Sequence, residues 1–391
     1  MRRLSQALCF AVVLGVAPAV NLEAGTVCED ETSFVTRPIA LGVPGANINM
    51  LQTNSQGDTT GCCFGTLGAL VKGPGGEYIL SNNHVLDRVN LGQPGEGIIQ
   101  PGCPASASAA QDDIVAHLSE SAKINFAVHA KNKIDAAIAQ IVSGGVSGDI
   151  LNIGPISNKI APAVIKLAVQ KMGASSCLTQ GTIQTIKFSS ARIEYADQCD
   201  SNSGTANFVN QIVVKGSTGD FAIAGDSGSL VVTTESCPRP VGLLFAADTA
   251  GDVFVNPIRQ VLSHFGVAIV AGCTASKASA DSSIIAASGG NDASAGATKD
   301  ADTEEAEAFA SISGMTMDAI NFAAAAKSRH EQDFFAIANV AGVGVGASAE
   351  PGVPSIDVYV AEDSPALRSA LPDNVEGLPV NVIVSGPIHA L

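Results

Sequence analysis

The sequence predicts a mainly β body, followed by a linker and a small α/β module. The chain contains 391 residues with 40 Gly and no Trp, and stretches in which apolar residues recur with a helical period are scarce before residue 300. From about residue 33 to residue 271, short apolar runs are separated by turn residues, as in β-rich domains. Between about residues 276 and 302 the composition changes to Ala, Ser, Gly and Asp, which is typical of a flexible linker.

The strands of the body are predicted from apolar runs that are too short for a typical helix and are bounded by Gly, Asn, Asp or Pro. Examples of these runs are residues 66–71, 78–80, 136–141, 211–214, 230–233 and 241–245. Many short strands with irregular turns indicate a barrel or a sandwich. A final segment, residues 255–270, carries apolar residues at helical spacing, and we expect it to close the body as a helix.

The module after the linker has its own pattern. A helix is predicted over residues 303–329, because Glu304 and Glu305 suit a helix N-terminus. The further elements that we predict are strands at 334–345 and 355–360, a short helix at 365–371 and a strand at 379–384. The resulting divisions are residues 1–24 (signal), 25–273 (body), 274–302 (linker) and 303–391 (module). A chain that ends near Cys273 is expected to fold by itself.

Length, composition and charge limit the class of protein. The length exceeds that of one ordinary domain, and apolar residues make up 46% of the chain, which is enough for a buried core. The net charge is −16 and Lys and Arg form no cluster, so nucleic acid is not expected as a partner. The acidity concerns solubility and does not indicate a fold.

Residues 1–24 resemble an export signal. Two arginines give a positive start, residues 7–16 form an apolar core, and small residues provide cleavage sites after Ala19 or Ala24. The apolar core is too short for a permanent membrane span, and no other segment of the sequence is a candidate for one. We therefore expect a secreted or periplasmic protein without a stable membrane span. The alternative is a buried N-terminal helix.

Cysteine usage agrees with export. Cys9 lies in the signal, and an even number of cysteines remains in the mature chain, which favours disulfide bonds. These cysteines are Cys28, Cys62, Cys63, Cys103, Cys177, Cys199, Cys237 and Cys273. The alternative is a set of buried free thiols. The spacing does not determine the pairing, although Cys177 and Cys199 flank what looks like one hairpin.

Three segments carry residues that suit nucleophilic catalysis. His84 follows an apolar run in S-N-N-H-V, Asp135 begins another in D-A-A-I-A, and Ser227 lies in the glycine-flanked turn of G-D-S-G-S-L-V. A serine hydroxyl is a weak nucleophile until a base takes its proton, and histidine suits that role near neutral pH. A buried carboxylate fixes the tautomer of the imidazole. These residues are therefore predicted to form a catalytic triad.

The glycines beside Ser227 predict an oxyanion hole. Gly225 and Gly228 allow a sharp turn, so that the amides of Gly225 and Ser227 can point into one site. Asp113 is the rival for the acid, although it lacks the D-A-A-I-A context, and Asp226 is expected to anchor the turn. The other histidines show no metal-ligand spacing, so we expect no metal and no cofactor.

The order His, Asp, Ser and the G-D-S-G turn resemble the trypsin/chymotrypsin-like serine peptidases. The three phrases quoted above are similar to those of a branch that contains bacterial trypsin-like proteins and the plant narrow-leaf proteins. The resemblance covers about residues 35–270 and implies a chymotrypsin-like double β-barrel with the site between two six-stranded barrels. It also implies a substrate pocket near Phe221, Leu244 and Phe245.

The resemblance implies a serine endopeptidase that hydrolyses peptide bonds of a protein or peptide substrate through an acyl-enzyme. The alternative is a catalytically inactive protease fold that serves as a binding or scaffold protein. Because no cysteine follows His84, the disulfide scheme of the animal digestive enzymes does not transfer. Cleavage preference, zymogen activation and oligomeric state stay open.

The module at residues 303–391 resembles a small domain that commonly precedes the peptidase in the bacterial branch, but here it follows. It can be a tether, a substrate-recruiting element or an inhibitor. We favour a regulatory role, because its helix is long enough to lie across a cleft.

Overall fold

The computed structural model describes Ser33 and residues 35–190, 192–196, 203–274 and 311–391. The expected signal and almost all of the expected linker lie outside the described residues. Strands account for 43% of the structure and helices for 16%, so the predicted mainly β class is confirmed. Within the described ranges, no helix is long and apolar enough to cross a membrane.

The first half of the described chain consists of short strands with two short helices, α1 (Asn83–Leu86) and α2 (Ala107–Asp112). The strands are β1 (Ile39–Leu41), β2 (Val43–Asn47), β3 (Leu51–Thr53), β4 (Thr59–Cys62), β5 (Gly65–Leu67), β6 (Ala69–Gly73), β7 (Gly76–Ser81), β8 (Gly97–Ile99), β9 (Ile114–Ser121), β10 (Ala137–Ile141) and β11 (Val146–Ile150). Its main sheet has the order β6-β7-β10-β9-β8-β2-β5 with antiparallel neighbours.

The second half also consists mainly of β-strands. Its strands are β12 (Ala168–Gly173), β13 (Cys177–Ser190), β14 (Ile193–Tyr195), β15 (Gly204–Ala206), β16 (Gln211–Gly216), β17 (Leu230–Thr233), β18 (Pro240–Asp248) and β19 (Asp252–Pro257). The helix α3 (Ile258–Phe265) and the strand β20 (Ala268–Ile269) follow, and β20 returns to pair with β6 of the first half.

The C-terminal module has a long helix on a small sheet. Its elements are α4 (Met317–Phe335), β21 (Val340–Ala347), β22 (Pro354–Val360), α5 (Pro365–Ala370), β23 (Asn374–Val375), β24 (Leu378–Val384) and β25 (Ile388–Ala390). The helix α4 packs on β21 and β22. It does not line the cleft that contains His84, and its buried side, which includes Ile320, Ala323 and Phe334, packs into the core that the module shares with the second half.

The module extends the sheet of the second half. The long strand β13 pairs with β12 along its first residues and with β21 near its end, where Ile186 faces Val345. The strand β25 lies between β14 and β18. The two halves comprise a closed six-stranded β-barrel and a half-barrel, so the predicted chymotrypsin-like fold class is confirmed.

Most predicted elements occur with small shifts of their ends, and those that differ do so for identifiable reasons. The run at residues 66–71 forms two strands, β5 and β6, with Gly68 between them, where a side chain would collide with the carbonyl oxygen of Gly228. The helix predicted over residues 303–329 is interrupted after the helical residues 311–313 by Gly314, which has φ +73°. It resumes as α4 at Met317, where Thr316 Oγ1 accepts a hydrogen bond from the amide of Ala319. The part of that prediction before residue 311 lies outside the described residues.

Two disulfides join distant parts of the chain, which confirms the expectation of disulfide bonds. Cys62 pairs with Cys103, and Cys237 pairs with Cys273. Cys63 and Cys177 each take part in a disulfide bond as well. The hairpin suggested for Cys177 and Cys199 cannot be followed, because Cys199 lies outside the described residues.

The second half and the module share one hydrophobic core. A single cluster of buried side chains contains members from both, such as Ile183, Val214, Leu244, Ile320, Val343 and Ile356. The first half has a separate cluster, although Leu230 and Leu243 of the second half also belong to it. Removing the module would therefore expose one side of the core of the second half.

We predict that a chain ending at Cys273 is less stable than the full chain, contrary to the independent folding expected from the sequence. Several large apolar side chains would be exposed at about 2 kcal/mol each, which corresponds to a fall in Tm of roughly 10 °C or more. Thermal unfolding followed by circular dichroism measures this difference. An unchanged Tm, without binding of a hydrophobic dye, would show that the core does not depend on the module.

Candidate active site

The carboxylate of Asp135 lies directly against the ring of His84. His84 is held in the one-turn helix α1, which follows β7, and Asp135 precedes β10, the neighbour of β7 in the sheet. The distance from His84 Nδ1 to Asp135 Oδ2 is 2.6 Å, and the amide of His84 donates to Asp135 Oδ1 at 3.3 Å. The side chain of Asp135 is fully buried, while that of His84 is 10% exposed.

Three further residues hold Asp135. Tyr195 donates its hydroxyl to Asp135 Oδ2 at 2.8 Å. The main-chain oxygen of Asp135 accepts from the side-chain amides of Asn82, at 2.7 Å, and Asn256, at 3.2 Å, and its amide donates to Asn256 Oδ1 at 3.1 Å. Burial and the charge of Asp135 raise the pKa of Tyr195 well above its usual range, so that the phenol keeps its proton and donates.

Ser227 lies in a turn that only glycine allows on either side. Gly225 has φ +94° and Gly228 has φ +93°, values that L-residues rarely adopt. A side chain at Gly228 would also collide with the main-chain oxygen of Thr66. The first half holds this turn, because the amide of Thr66 donates to the oxygen of Ser227 at 2.7 Å and Thr66 Oγ1 donates to the oxygen of Gly225 at 3.0 Å.

The buried carboxylate of Asp226 anchors the same turn, as the sequence predicts. Its oxygens accept from the amides of Ser175, Ser176 and Ile223 at 2.9–3.0 Å. Lys171 Nζ lies 3.4 Å from Asp226 Oδ2, and both side chains are fully buried. Burial lowers the pKa of Lys171, and the charge of Asp226 opposes that change.

The main-chain amides of Gly225 and Ser227 indicate a binding site for an anion. Within the described part of the chain, neither amide donates a hydrogen bond to another protein group. Main-chain amides are strong donors that are rarely left without a partner in a folded protein. Two such donors on a tight turn are suited to bind an oxyanion.

A cleft of about 280 Å³ opens beside these residues. Its lining residues include His84, Tyr195, Gly225, Met50 and Phe64. Ala390 and Leu391 line the same cleft, and the main-chain oxygen of Leu391 lies 3.0 Å from His84 Nε2.

Ser227 does not bond to His84 in this arrangement. Among the described residues its Oγ donates to the main-chain oxygen of Phe245 at 3.2 Å, and no hydrogen bond joins it to the imidazole. The structure thus brings His84 and Asp135 together, while the hydroxyl of Ser227 is turned towards β18. The rival acid, Asp113, ends the helix α2 and makes no hydrogen bond to His84 within the described ranges.

The three residues expected near the substrate pocket are all buried, but they do not lie on the same side of β18. Phe221 and Leu244 belong to the cluster that the second half shares with the module. Phe245 belongs to a different cluster, where its ring lies 4.9 Å from that of Phe208. Phe245 therefore faces the site through its main-chain oxygen, since successive side chains of a strand point to opposite faces.

The chain is similar to the Nal1 C-terminal domain family, whose model matches residues 118–256. Protein NARROW LEAF 1 of Oryza sativa subsp. japonica is 28% identical over an alignment of 212 residues, and the match covers 46% of this chain and 34% of the relative. The chain thus spans about a third of the length of that relative. The expected resemblance to the narrow-leaf branch is confirmed. The family match includes Asp135, Tyr195 and Ser227 and begins after His84.

Solved serine proteases are similar to the chain at low identity. A glutamic-acid-specific serine protease is 17% identical and covers 59% of this chain and 100% of its own, with a TM-score of 0.41. Thermobifida fusca Protease A is 18% identical and covers 60% of this chain and 99% of its own, with a TM-score of 0.37. Nocardiopsis protease is 15% identical, covers 59% and 98%, and has a TM-score of 0.38.

Sequence reasoning missed Tyr195, Thr66 and Leu391 as residues of the site. Tyr195 is one of 3 tyrosines and stands in no motif, so that only its position beside Asp135 reveals it. Thr66 is the middle residue of β5, and the sequence singles out its segment only as a predicted strand. Leu391 lies far from the triad segments in sequence, and its contact with His84 depends on the path of the module.

We predict that Lys171→Met destabilises the protein by about 3–5 kcal/mol, because Asp226 would keep a buried charge without its cation. Lys72→Met is the matched control. Lys72 lies 3.7 Å from Glu77 but is 68% exposed, so that its loss should cost less than about 1 kcal/mol. Urea denaturation of both variants measures the difference, and equal effects of the two substitutions would contradict the account of the turn.

Proposed function

We propose that the chain is a serine endopeptidase, in which Ser227 is the nucleophile, His84 the general base and then acid, and Asp135 the orienting carboxylate. The observation that carries the proposal is the 2.6 Å contact between His84 Nδ1 and the buried Asp135 Oδ2. It accounts for the tautomer of His84, because the proton on Nδ1 is donated to the carboxylate and Nε2 is left to act on the serine.

The first half of the reaction forms an acyl-enzyme. Ser227 Oγ attacks the carbonyl carbon of the scissile peptide bond while His84 Nε2 takes the hydroxyl proton. The negative charge moves to the carbonyl oxygen, which the amides of Gly225 and Ser227 stabilise. One such donor is typically worth about 3 kcal/mol. His84 then gives its proton to the leaving nitrogen, and the C–N bond breaks.

The second stage of the reaction releases the acyl group. Water attacks the ester carbon of Ser227, His84 takes its proton, and the same two amides stabilise the second tetrahedral intermediate. His84 returns the proton to Ser227 Oγ as the C–O bond to the serine breaks. Before the first stage of the reaction can occur, a rotation about χ1 must move Ser227 Oγ from the main-chain oxygen of Phe245 towards His84 Nε2.

Tyr195 acts as a positioning residue in this proposal. Its hydroxyl and the ring of His84 bond to the same oxygen of Asp135, and the rings of Tyr195 and His84 meet edge to face at 5.9 Å between centroids. A carboxylate that accepts two hydrogen bonds in a dry site is fixed in orientation. The imidazole is thereby fixed as well.

The lining of the cleft supports a peptide substrate. Its lining residues include Ala390 and Leu391, the end of an extended segment, together with His84, Met50 and Phe64. An extended peptide can therefore occupy the same cleft. The disulfides support the further proposal that the protein is exported, since such bonds persist in oxidising compartments.

A second candidate is an inactive protease fold that binds a partner. It is favoured by the orientation of Ser227 Oγ, which bonds to Phe245 and not to His84 among the described residues. In such a protein the hydroxyl would keep this orientation when the cleft is empty. The two candidates therefore differ in the reactivity of Ser227.

We predict that Ser227→Ala lowers peptide hydrolysis by the full chain roughly 10⁶-fold, because the nucleophile is removed. Asp135→Asn should lower the rate about 10⁴-fold, because the amide holds His84 in the wrong tautomer. The measurement is the initial rate of cleavage of a mixed peptide library, read by mass spectrometry.

Asp113→Asn is the matched control for the acid and should leave the rate unchanged. Circular dichroism of each variant checks that the fold is retained. Full activity of Ser227→Ala would exclude the mechanism. Loss of activity in Asp113→Asn, with Asp135→Asn unaffected, would show that the acid is wrongly assigned.

A further inference from the structure

The segment 388–391 forms an added β-strand whose last residues, Ala390 and Leu391, line the cleft. Ala390 pairs with Ala246 and Ile388 pairs with Asp248 in antiparallel register along β18. On its other edge the segment pairs with β14, where His389 faces Glu194. Extended peptides are recognised by many proteins in this way, through main-chain bonds to a free strand edge with pockets for alternate side chains.

Leu391 stands at the point of the strand nearest to the candidate nucleophile. Its amide donates to the main-chain oxygen of Phe245 at 3.2 Å, and this oxygen also accepts from Ser227 Oγ. The carbonyl group of Leu391 is therefore the one presented to Ser227 and His84. In a peptide substrate bound along β18 in this register, the residue at this place would supply the acyl group.

The side chain of Leu391 packs, half-buried, against the apolar cluster that contains Phe221, Ala222 and Ala247. Among the described residues, His84 bonds to the main-chain oxygen of Leu391, and no Asp, Glu, Lys or Arg side chain forms a hydrogen bond or an ion pair with this residue. Such surroundings suit an aliphatic side chain and oppose a charged one, which would lose its hydration without gaining a partner.

The alternation of the other side chains fits the same picture. Ile388 is buried in the cluster around Phe208 and Phe245, and Ala390 packs against it. His389 points outwards, is about half exposed and lies 3.5 Å from Glu194. The segment thus contacts the protein through Ile388, Ala390 and Leu391, while His389 contributes little.

The contact with His84 prevents the histidine from acting as a base. Nδ1 faces the carboxylate of Asp135, and Nε2 faces the oxygen of Leu391. Nε2 is thereby occupied by the oxygen of Leu391, and it makes no hydrogen bond to Ser227 Oγ among the described residues. The oxygen of Leu391 lies on His84 and bonds to neither the Gly225 nor the Ser227 amide, so the segment has the register of a substrate without a reacting pose.

The module delivers the segment to the cleft. Its strand β24 ends at Val384. The amide of the next residue, Ser385, donates a hydrogen bond to the main-chain oxygen of Val360, and the main-chain oxygen of Ser385 accepts one from Thr249 Oγ1. Only Gly386 and Pro387 separate this anchor from β25. A short connection gives the segment a high effective concentration at the cleft.

We propose that residues 388–391 are an intramolecular inhibitor that occupies the acyl side of the substrate groove, and that the groove accepts peptides with an aliphatic residue such as leucine in the acyl position. The proposal rests on the proposed peptidase function. It also assigns a role to the module, which holds the inhibitor in register with β18.

The first test compares the full chain with a variant that lacks residues 388–391 and with Leu391→Glu. Both changes should raise kcat/KM for a peptide substrate about tenfold or more, because the groove becomes free. The His389→Ala variant is the matched control within the same strand and should change kcat/KM by about twofold or less. The point substitution keeps the test valid should the deletion impair folding.

The second test uses the peptide itself. Acetyl-Ile-His-Ala-Leu should inhibit the shortened chain competitively, whereas acetyl-Ile-His-Ala-Glu should not. Chromogenic substrates with the same two sequences should differ about a hundredfold in kcat/KM in favour of leucine.

The outcomes separate the two proposals. Equal activity of the full chain, the shortened chain and Leu391→Glu would overturn the inhibitor while the peptidase stands. A preference for glutamate over leucine would overturn the assignment of the groove. Folded variants that hydrolyse no peptide and do not react with a fluorophosphonate would overturn the proposed function itself.

Discussion

The burial of Asp135 is the constraint on which the site depends. A carboxylate removed from water is costly unless donors replace the hydration shell, and here the side chain is fully buried. Its donors come from separate parts of the chain, namely His84 in the first half and Tyr195 on β14 of the second. Asn256, at the end of β19, holds the main chain of the same residue. The two halves must therefore be packed together before the carboxylate is satisfied.

The turn at Ser227 is held by a comparable arrangement across the two halves. Thr66, on β5 of the first half, bonds to the main chain of both Gly225 and Ser227. The buried pair of Lys171 and Asp226 also fixes the turn. The module continues the sheet of the second half, and its last strand leads into the cleft. Stability of the second half and access to the site are thus coupled through one sheet.

Part of this could be predicted from the sequence because the signal is local. His84, Asp135 and Ser227 each stand in a short phrase beside an apolar run, and the run at 230–233 has the bounds of β17. Long-range features could not be predicted in this way. Phe334, which is apolar and was expected to begin a strand, is instead in the last turn of α4, where it packs into the shared core. The strand Ile388–Ala390 is too short to be recognised by its pattern.

Reaction with a fluorophosphonate, followed by peptide mapping by mass spectrometry, tests the central claim most directly. The probe phosphonylates a serine only where a neighbouring base and an oxyanion site activate it. We predict a single adduct on Ser227 in the full chain, formed faster in Leu391→Glu and absent in the His84→Ala variant. An unmodified Ser227 in both the full chain and Leu391→Glu, after prolonged incubation of the folded proteins, would contradict the account.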